Sequence, residues 1–425
     1  MLIGLVNAGV GACASTGSKG SVSLIGTEGN QFEALVDAFE KKTGIQVEYK
    51  ATRAQDQVLL ADVQNGTPPD VAALSSPGEL AWYKRQGYLQ PLGDVIGAQE
   101  WSRYSPQWQE LARAGLDELY AVPAEVNLKS MVWFNKKSWP QPVPETLEQL
   151  IARSPTAAGE RSTWCMGLSS GVTSGWPGTD WIEDILLQRS GARVYQQWAA
   201  GADAQPWNSP LMAETWAIWG AAVTGPGQVR GGTKAALLTA FEDAGRPMFG
   251  DSPGGCLLEH QASFMTRDYQ DYDNAPQPGT DFDFVEFENL DGTPPAAPER
   301  SWIVAADMVV MFNRTPQAEQ LVQFLASEEA QRLLPGEGRF SAHQNVRPDA
   351  YPNDVSRRIA DVLTGSETLC FDASDIMPAT MRNAFYRATQ EYLSDGAQLG
   401  ALLENLQKVR DGLPRERWLT VSCGQ

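Results

Sequence analysis

The sequence predicts an α/β protein built as two lobes. Its 425 residues exceed what one core of ordinary size accommodates. The stretch from Val22 to Leu74 alternates strand and helix signals, and a second block from Lys136 to about Trp302 carries helix and strand signals of its own. Alternation of this kind gives a mostly parallel sheet covered on both faces, with ligands held beyond the carboxyl ends of the strands.

Val22 to Gly26 is a short β-rich run. It leads into a helix in which Phe32, Leu35, Val36 and Phe39 repeat at i, i+3, i+4 and i+7, and Gly44 ends that helix. Ile45 to Tyr49 alternates as a strand, Gln55 to Gln64 reads as a helix, and Asp70 to Leu74 is a buried strand after the Pro68-Pro69 break. The loops that follow these strands, Thr27 to Gln31, Arg53 and Ser75 to Glu79, are polar. Further along, Ser130 to Phe134 reads as a strand preceded by the connection Pro123 to Lys129. The second block holds helices at Trp181 to Arg189, Pro210 to Val223 and Lys234 to Ala240. Asp268 to Asp283 is acidic and turn-rich but lacks the glycine and terminal glutamate of an EF-hand, so a solvated loop is expected there, without calcium. Ile303 to Phe312 is an apolar strand, and Gln317 to Glu329 the helix after it.

With 33 Lys and Arg against 52 Asp and Glu, the net charge is -19, and no basic run occurs. That excludes nucleic acid and an anionic membrane surface as partners. The 14 Trp, 14 Phe and 11 Tyr leave rings to spare for a binding surface. The first twelve residues are apolar and small and end at Cys13 behind Val10-Gly11-Ala12, a lipobox followed by a Ser- and Gly-rich tether. No Lys or Arg precedes the apolar stretch, as expected of a start placed late. If Cys13 carries lipid, Cys165, Cys256, Cys370 and Cys423 remain, an even number that predicts two disulfides in an exported chain. Three connectivities are possible. Cys165 with Cys256 and Cys370 with Cys423 is favoured, since each pair lies within one contiguous stretch.

Two segments, SGWPGTDWIEDIL from Ser174 to Leu186 and FDASDIMP from Phe371 to Pro378, set tryptophans and carboxylates in turn-rich sequence. An indole offers a flat apolar face to a sugar ring, and a carboxylate beside it accepts hydroxyl hydrogens. Together with TEGNQFEALVDAFEKKTGIQVEYK (Thr27 to Lys50), NGTPPDVAAL (Asn65 to Leu74), VNLKSMVWFNKK (Val126 to Lys137) and the stretch from Ile303 to Gln331, they resemble the extracellular solute-binding proteins, family 1, of bacterial carbohydrate ABC importers, in the α-glucoside-binding branch.

The resemblance implies a periplasmic-binding-protein-like (type II) fold with a hinge and an interlobe cleft. It assigns 22–126 and 303–364 to the first lobe, 127–302 and 365–425 to the second, and 1–21 to a lipoprotein signal remnant and tether. It implies an α-glucoside ligand, ABC permease subunits as partners, and a monomer anchored by lipid to the outer face of the cytoplasmic membrane, with no cofactor and no metal. Near the first lobe Glu28, Gln31, Arg53, Ser75, Asn127 and Lys129 are the candidate contacts. Trp302, Asp307 and Arg339 are further candidates, whereas Phe340 reads as core. In the second lobe Trp176 would stack on a ring, Asp180 and Asp375 would accept hydroxyls, and Tyr386 would add a second aromatic. Asp180 also suits an N-cap for a helix starting at Trp181. Two other functions stay open. A glycan receptor without transport fits the same fold, and paired carboxylates (Asp372 with Asp375, Asp180 with Glu183) fit a glycosidase, although no catalytic motif is present and the only histidines are His260 and His343.

Overall fold

The structure is a computed structural model. It describes residues 20–28, 31–113, 118–139, 142–158, 160–250, 254–290, 300–365 and 368–424. Cys13 and the lipobox lie outside the described residues.

Among the described residues ten strands form two sheets. They are β1 (Ser21–Gly26), β2 (Gln46–Ala51), β3 (Val71–Leu74), β4 (Ala121–Leu128), β5 (Met131–Asn135), β6 (Ser162–Trp164), β7 (Cys256–His260), β8 (Phe282–Glu286), β9 (Ser301–Met311) and β10 (Thr368–Phe371). The first sheet runs β10-β9-β3-β1-β2 with β4 also on β9, and the second runs β6-β7-β5-β8. β1 pairs in parallel with β2 and β3, but β9 runs antiparallel to both β3 and β4. The first sheet is therefore mixed, not mostly parallel: β9 comes back from the second lobe and enters against β3 and β4, with β10 parallel to it.

Local sequence accounts for the first elements. In the helix Glu33–Thr43, Leu35 and Phe39 are buried, and Gly44 closes it at φ 75° with its N–H on Glu40 O. The buried amide of Gln55 donates to Ile25 O and Ala73 O, which pins the ends of β1 and β3 and sets where their loops emerge. Pro123 to Lys129, expected as a connection, is instead mostly strand: β4 is buried along its whole length. The helix expected over Gln317 to Glu329 divides at Ser327, which caps the short helix Glu328–Gln331.

In the second lobe the helix Trp176–Ala199, kinked at Gly191, packs on Pro210–Val223 and Ala379–Ser394. Trp198, Trp207, Trp216, Phe385 and Tyr392 interlock between them. These tryptophans are core, each contributing roughly 1.5–3 kcal/mol through burial. The acidic stretch Asp268 to Asp283 is taken up in ion pairs: Asp268 with Arg267, Asp281 with Lys137 and Asp283 with Arg358.

The chain passes from the first sheet to the second at Lys129 and Ser130. Ser130 donates to Asp184 and accepts the N–H of Ile303, so the outgoing and returning segments share one hydroxyl. The last departure falls later than residue 365, because β10 still pairs with β9 from Thr368 to Phe371. Disulfides join Cys165 to Cys256 and Cys370 to Cys423, spanning 91 and 53 residues. Loops of that size correspond to roughly 4 kcal/mol each in the chain-entropy picture.

Candidate functional site

Between the lobes lies a cavity of about 200 Å³. Its floor comes from β4 and β9. Glu125 and Asn127 project from alternate positions of β4, Lys129 follows directly after its end, and Asp307 stands opposite Glu125 on β9. Loops at the carboxyl ends of β1, β2 and β3 add Glu28 and Gln31, Arg53 and Asp56, and Ser75. The second lobe supplies Trp176, Phe241, Phe264, Arg267, Asp375, Arg382 and Tyr386, and the turn before Phe340 supplies Arg339.

Trp176, Phe241 and Phe264 meet edge to face, with Trp176 and Phe241 centroids 4.9 Å apart. Gly175 permits this placement. Its φ is 107°, and a Cβ there would come within 2.2 Å of Tyr386 O, so glycine alone lets the helix start against Tyr386. Lys129 Nζ sits 5.0 Å from the Trp176 ring centroid.

Lys129 is bound at 3.1 Å to Asp180 and at 2.6 Å to Asp372. Burial opposes its charge, but the carboxylates of Asp180, Asp372 and Asp375 overcome it and hold its pKa well above the usual lysine value. Asp372, buried as it is, is held below the usual range by Lys129, by the Ser374 hydroxyl at 2.7 Å and by the Asp375 N–H at 3.0 Å. The Lys129–Asp372 pair is therefore the ionised one. Asp180 is pushed up to about 8 by burial, with Lys129 opposing and Asp372 adding. Asp375, which has no side-chain hydrogen bond among the described residues, is pushed well up by burial and by the Asp372 charge. Asp307 is pushed up to about 8 by burial and the nearby Glu125 and Glu28, with Arg339 opposing.

Cations and carboxylates balance around the cavity: Arg53, Lys129, Arg267, Arg339 and Arg382 against Glu28, Asp56, Glu125, Asp307 and Asp375. Most are paired. Arg339 bonds Glu125 at 2.5 Å, and three arginine contacts cross between lobes. Arg53 joins Glu242 and Ser170 and lies over the Phe241 ring, Arg267 reaches Glu28 at 3.5 Å, and Arg382 reaches Asp56 and Glu79. The lobes are closed on each other. The first two contacts border an outer opening of about 580 Å³ lined with Glu242, Asp243 and Asp271.

The structure brings Glu28, Gln31, Arg53, Ser75, Asn127, Lys129, Trp176, Asp307, Arg339, Asp375 and Tyr386 to this one cavity, but not Asp180 or Trp302. Asp180 lies inside the helix that begins at Trp176, so it is no N-cap, and its carboxyl meets Lys129 behind the cavity wall. Its neighbours serve structure too. Glu183 accepts the N–H groups of Ala373 and Ser374, and Asp184 holds Ser130 and His260. Trp302 is buried in β9. Phe340 is core, stacked on Tyr351.

Sequence reasoning missed Glu125, Asp56, Arg382, Arg267, Phe241 and Phe264. Two of these had a signal: Glu125 continues the alternation of Asn127 and Lys129 on an otherwise apolar strand, and Arg382 stands four residues before Tyr386 on one helix face. Phe241 and Phe264 sit in short turns with no periodicity to read.

The sequence profile of the family described as "Bacterial extracellular solute-binding protein" matches residues 25–332. The chain is 32% identical over 391 residues to the Osmoprotective compounds-binding protein GgtB of Synechocystis sp., covering 88% of this chain and 89% of the other. It is 29% identical over 399 residues to the Alpha-glucosides-binding periplasmic protein AglE of Rhizobium meliloti, covering 90% and 84%. A solved chitin oligosaccharide binding protein superposes with a TM-score of 0.74 at 16% identity, covering 92% of this chain and 98% of that one. That likeness establishes the two-lobed periplasmic-binding fold. Among the described residues no helix is long and apolar enough to cross a membrane.

Proposed function

The chain belongs to the bacterial extracellular solute-binding protein family, which acts outside the cytoplasm, and from that premise we propose that its cleft captures an α-glucoside of about disaccharide size and presents it to an ABC permease. The observation that carries the reading is the composition of the cavity wall. An edge-to-face aromatic group stands beside cations already paired with carboxylates, Arg339 with Glu125, Arg267 with Glu28 and Lys129 with Asp372, which suits a neutral polyhydroxylated ring and disfavours a charged ligand. The likeness to AglE supports the α-glucoside class, and that to GgtB supports a small osmoprotective compound as ligand. In this reading Trp176 stacks on a ring face, Asp375 and Tyr386 bond its hydroxyls, and Arg53 and Arg267 draw the lobes together over it.

Turnover is not part of the proposal. One carboxylate of each pair a hydrolase would draw on is already taken: Asp372 by Lys129 and Ser374, Glu183 by two backbone N–H groups and Tyr195. We place the protein at the outer face of the cytoplasmic membrane as a monomer held by a lipid on Cys13, and Cys13→Ala should release it from the membrane fraction.

Calorimetry with trehalose, maltose and sucrose tests the ligand. A dissociation constant near micromolar, about -8 kcal/mol, is expected for at least one, with the sugar recovered intact. If none binds at millimolar concentration, the α-glucoside reading fails.

A further inference from the structure

A second chamber, of about 380 Å³, lies beside the cleft and shares Asp56, Thr173 and Arg382 with the cleft wall. The partition is thin. Arg382 Nη2 bonds Asp56 at 2.5 Å and Glu79 at 2.6 Å, and its Nε is buried with no hydrogen-bond partner among the described residues. One guanidinium, held at its tip, thus stands between the two spaces.

The chamber is itself an interlobe space. The helices Gln55–Gln64 and Pro77–Arg85 of the first lobe form one wall, and the turn Gly171–Thr173 and the helix Ala379–Ser394 of the second lobe form the other. Its seam is close-packed, since a Cβ on Gly78 would fall 2.2 Å from Met377 O, and Ser76 donates to Asp375 O at 2.6 Å. Its lining pairs the half-buried indole of Trp82 with the amides of Gln57 and Asn383. Leu60 and Val172 border it, 36% and 56% exposed. A flat apolar ring with amides beside it is again the surface a sugar ring fits.

We propose that this chamber is an extension subsite: the ligand path continues past Arg382, and a third glycosyl unit of a longer α-glucoside lies on Trp82 with its hydroxyls on Gln57 and Asn383. Arg382 moves aside from Asp56 to admit it and keeps Glu79. The inference rests on the α-glucoside reading of the cleft and adds that the protein takes trisaccharides.

Calorimetry on the wild-type protein with maltose, trehalose and sucrose and with maltotriose, melezitose and raffinose tests it. At least one trisaccharide is expected to bind no more than tenfold more weakly than the best disaccharide. Trp82→Ala should then weaken that trisaccharide at least fivefold more than the disaccharide. Val172→Trp, at an exposed position that tolerates the change, should do the same by filling the chamber mouth. Disaccharide binding with every trisaccharide more than tenfold weaker overturns the subsite and spares the cleft, as does a loss in both variants that does not discriminate by length. If none of the six sugars binds, the cleft reading itself falls and takes the subsite with it.

Discussion

Lys129 Nζ lies 2.6 Å from Asp372 Oδ2, joining the residue after β4 to the residue after β10. The first and last passages between lobes are thus tied by one ion pair, and the same lysine forms part of the cavity wall. Replacing it with an apolar side chain leaves Asp372 buried without a counter-ion. Lys129→Met should cost about 3–5 kcal/mol in urea unfolding. A loss below about 1 kcal/mol would show that the pair is not holding the hinge.

Trp176 lines the cavity and meets Phe241 edge to face. Trp176→Ala should weaken α-glucoside binding by about 1–3 kcal/mol, and Trp176→Phe by less, because a smaller ring keeps part of the stacking area. Calorimetry decides it, and equal affinity in all three proteins would remove Trp176 from the site.

Burial and the Asp372 charge favour the protonated carboxyl at Asp375. A protonated carboxyl both donates and accepts, as an amide can, so Asp375→Asn should bind nearly as the wild type near pH 6, whereas Asp375→Ala loses about 1–3 kcal/mol. Ionisation at higher pH removes the donor. Wild-type affinity should therefore fall as pH rises while that of Asp375→Asn stays level. The opposite slope would restore the purely accepting role that the sequence suggests.

Glu259 is buried against Gly245 with Tyr269 Oη at 2.6 Å, and burial pushes it up to about 8 despite that bond. A carboxyl whose pKa is higher in the folded chain than in the unfolded one binds more protons when folded. Its contribution is therefore full below about pH 4 and is lost as pH rises through about 8. Glu79 and Asp180, both near 8, act in the same direction. Thermal stability should decline between pH 5 and about pH 8, and Glu259→Gln, which still accepts from Tyr269, should flatten the decline by about 1–3 kcal/mol. A melting temperature that rises across this window in the wild type would contradict the assignment.

The first lobe was legible because its signals are local: Gly44 stops a helix, and Phe32, Leu35 and Phe39 mark a buried face. Most cavity residues were also legible, since polar loops after parallel strands have few places to point. The errors share a cause. Asp180 and Trp302 have side-chain types that suit a sugar, but a helix that starts five residues early turns Asp180 behind the wall, and β9 carries Trp302 into the core. Phe241 and Phe264 reach the cavity only through contacts between distant turns, which no periodicity encodes.

The tail closes a circuit. Cys423 is bonded to Cys370 on β10, Gly424 donates to Leu369 O and accepts from Gln107, and between them the helices Ala379–Ser394 and Leu399–Asp411 pack on Trp176–Ala199 and Pro210–Val223 of the opposite lobe. That stretch is fastened at both its ends to the same edge of the first sheet. Mechanically, the lobes form a linkage with its pins in a row: the permitted movement is a swing about that row, and sliding or unseating is blocked for as long as the bond is oxidised. A reductant should then loosen the swing axis before it touches either core.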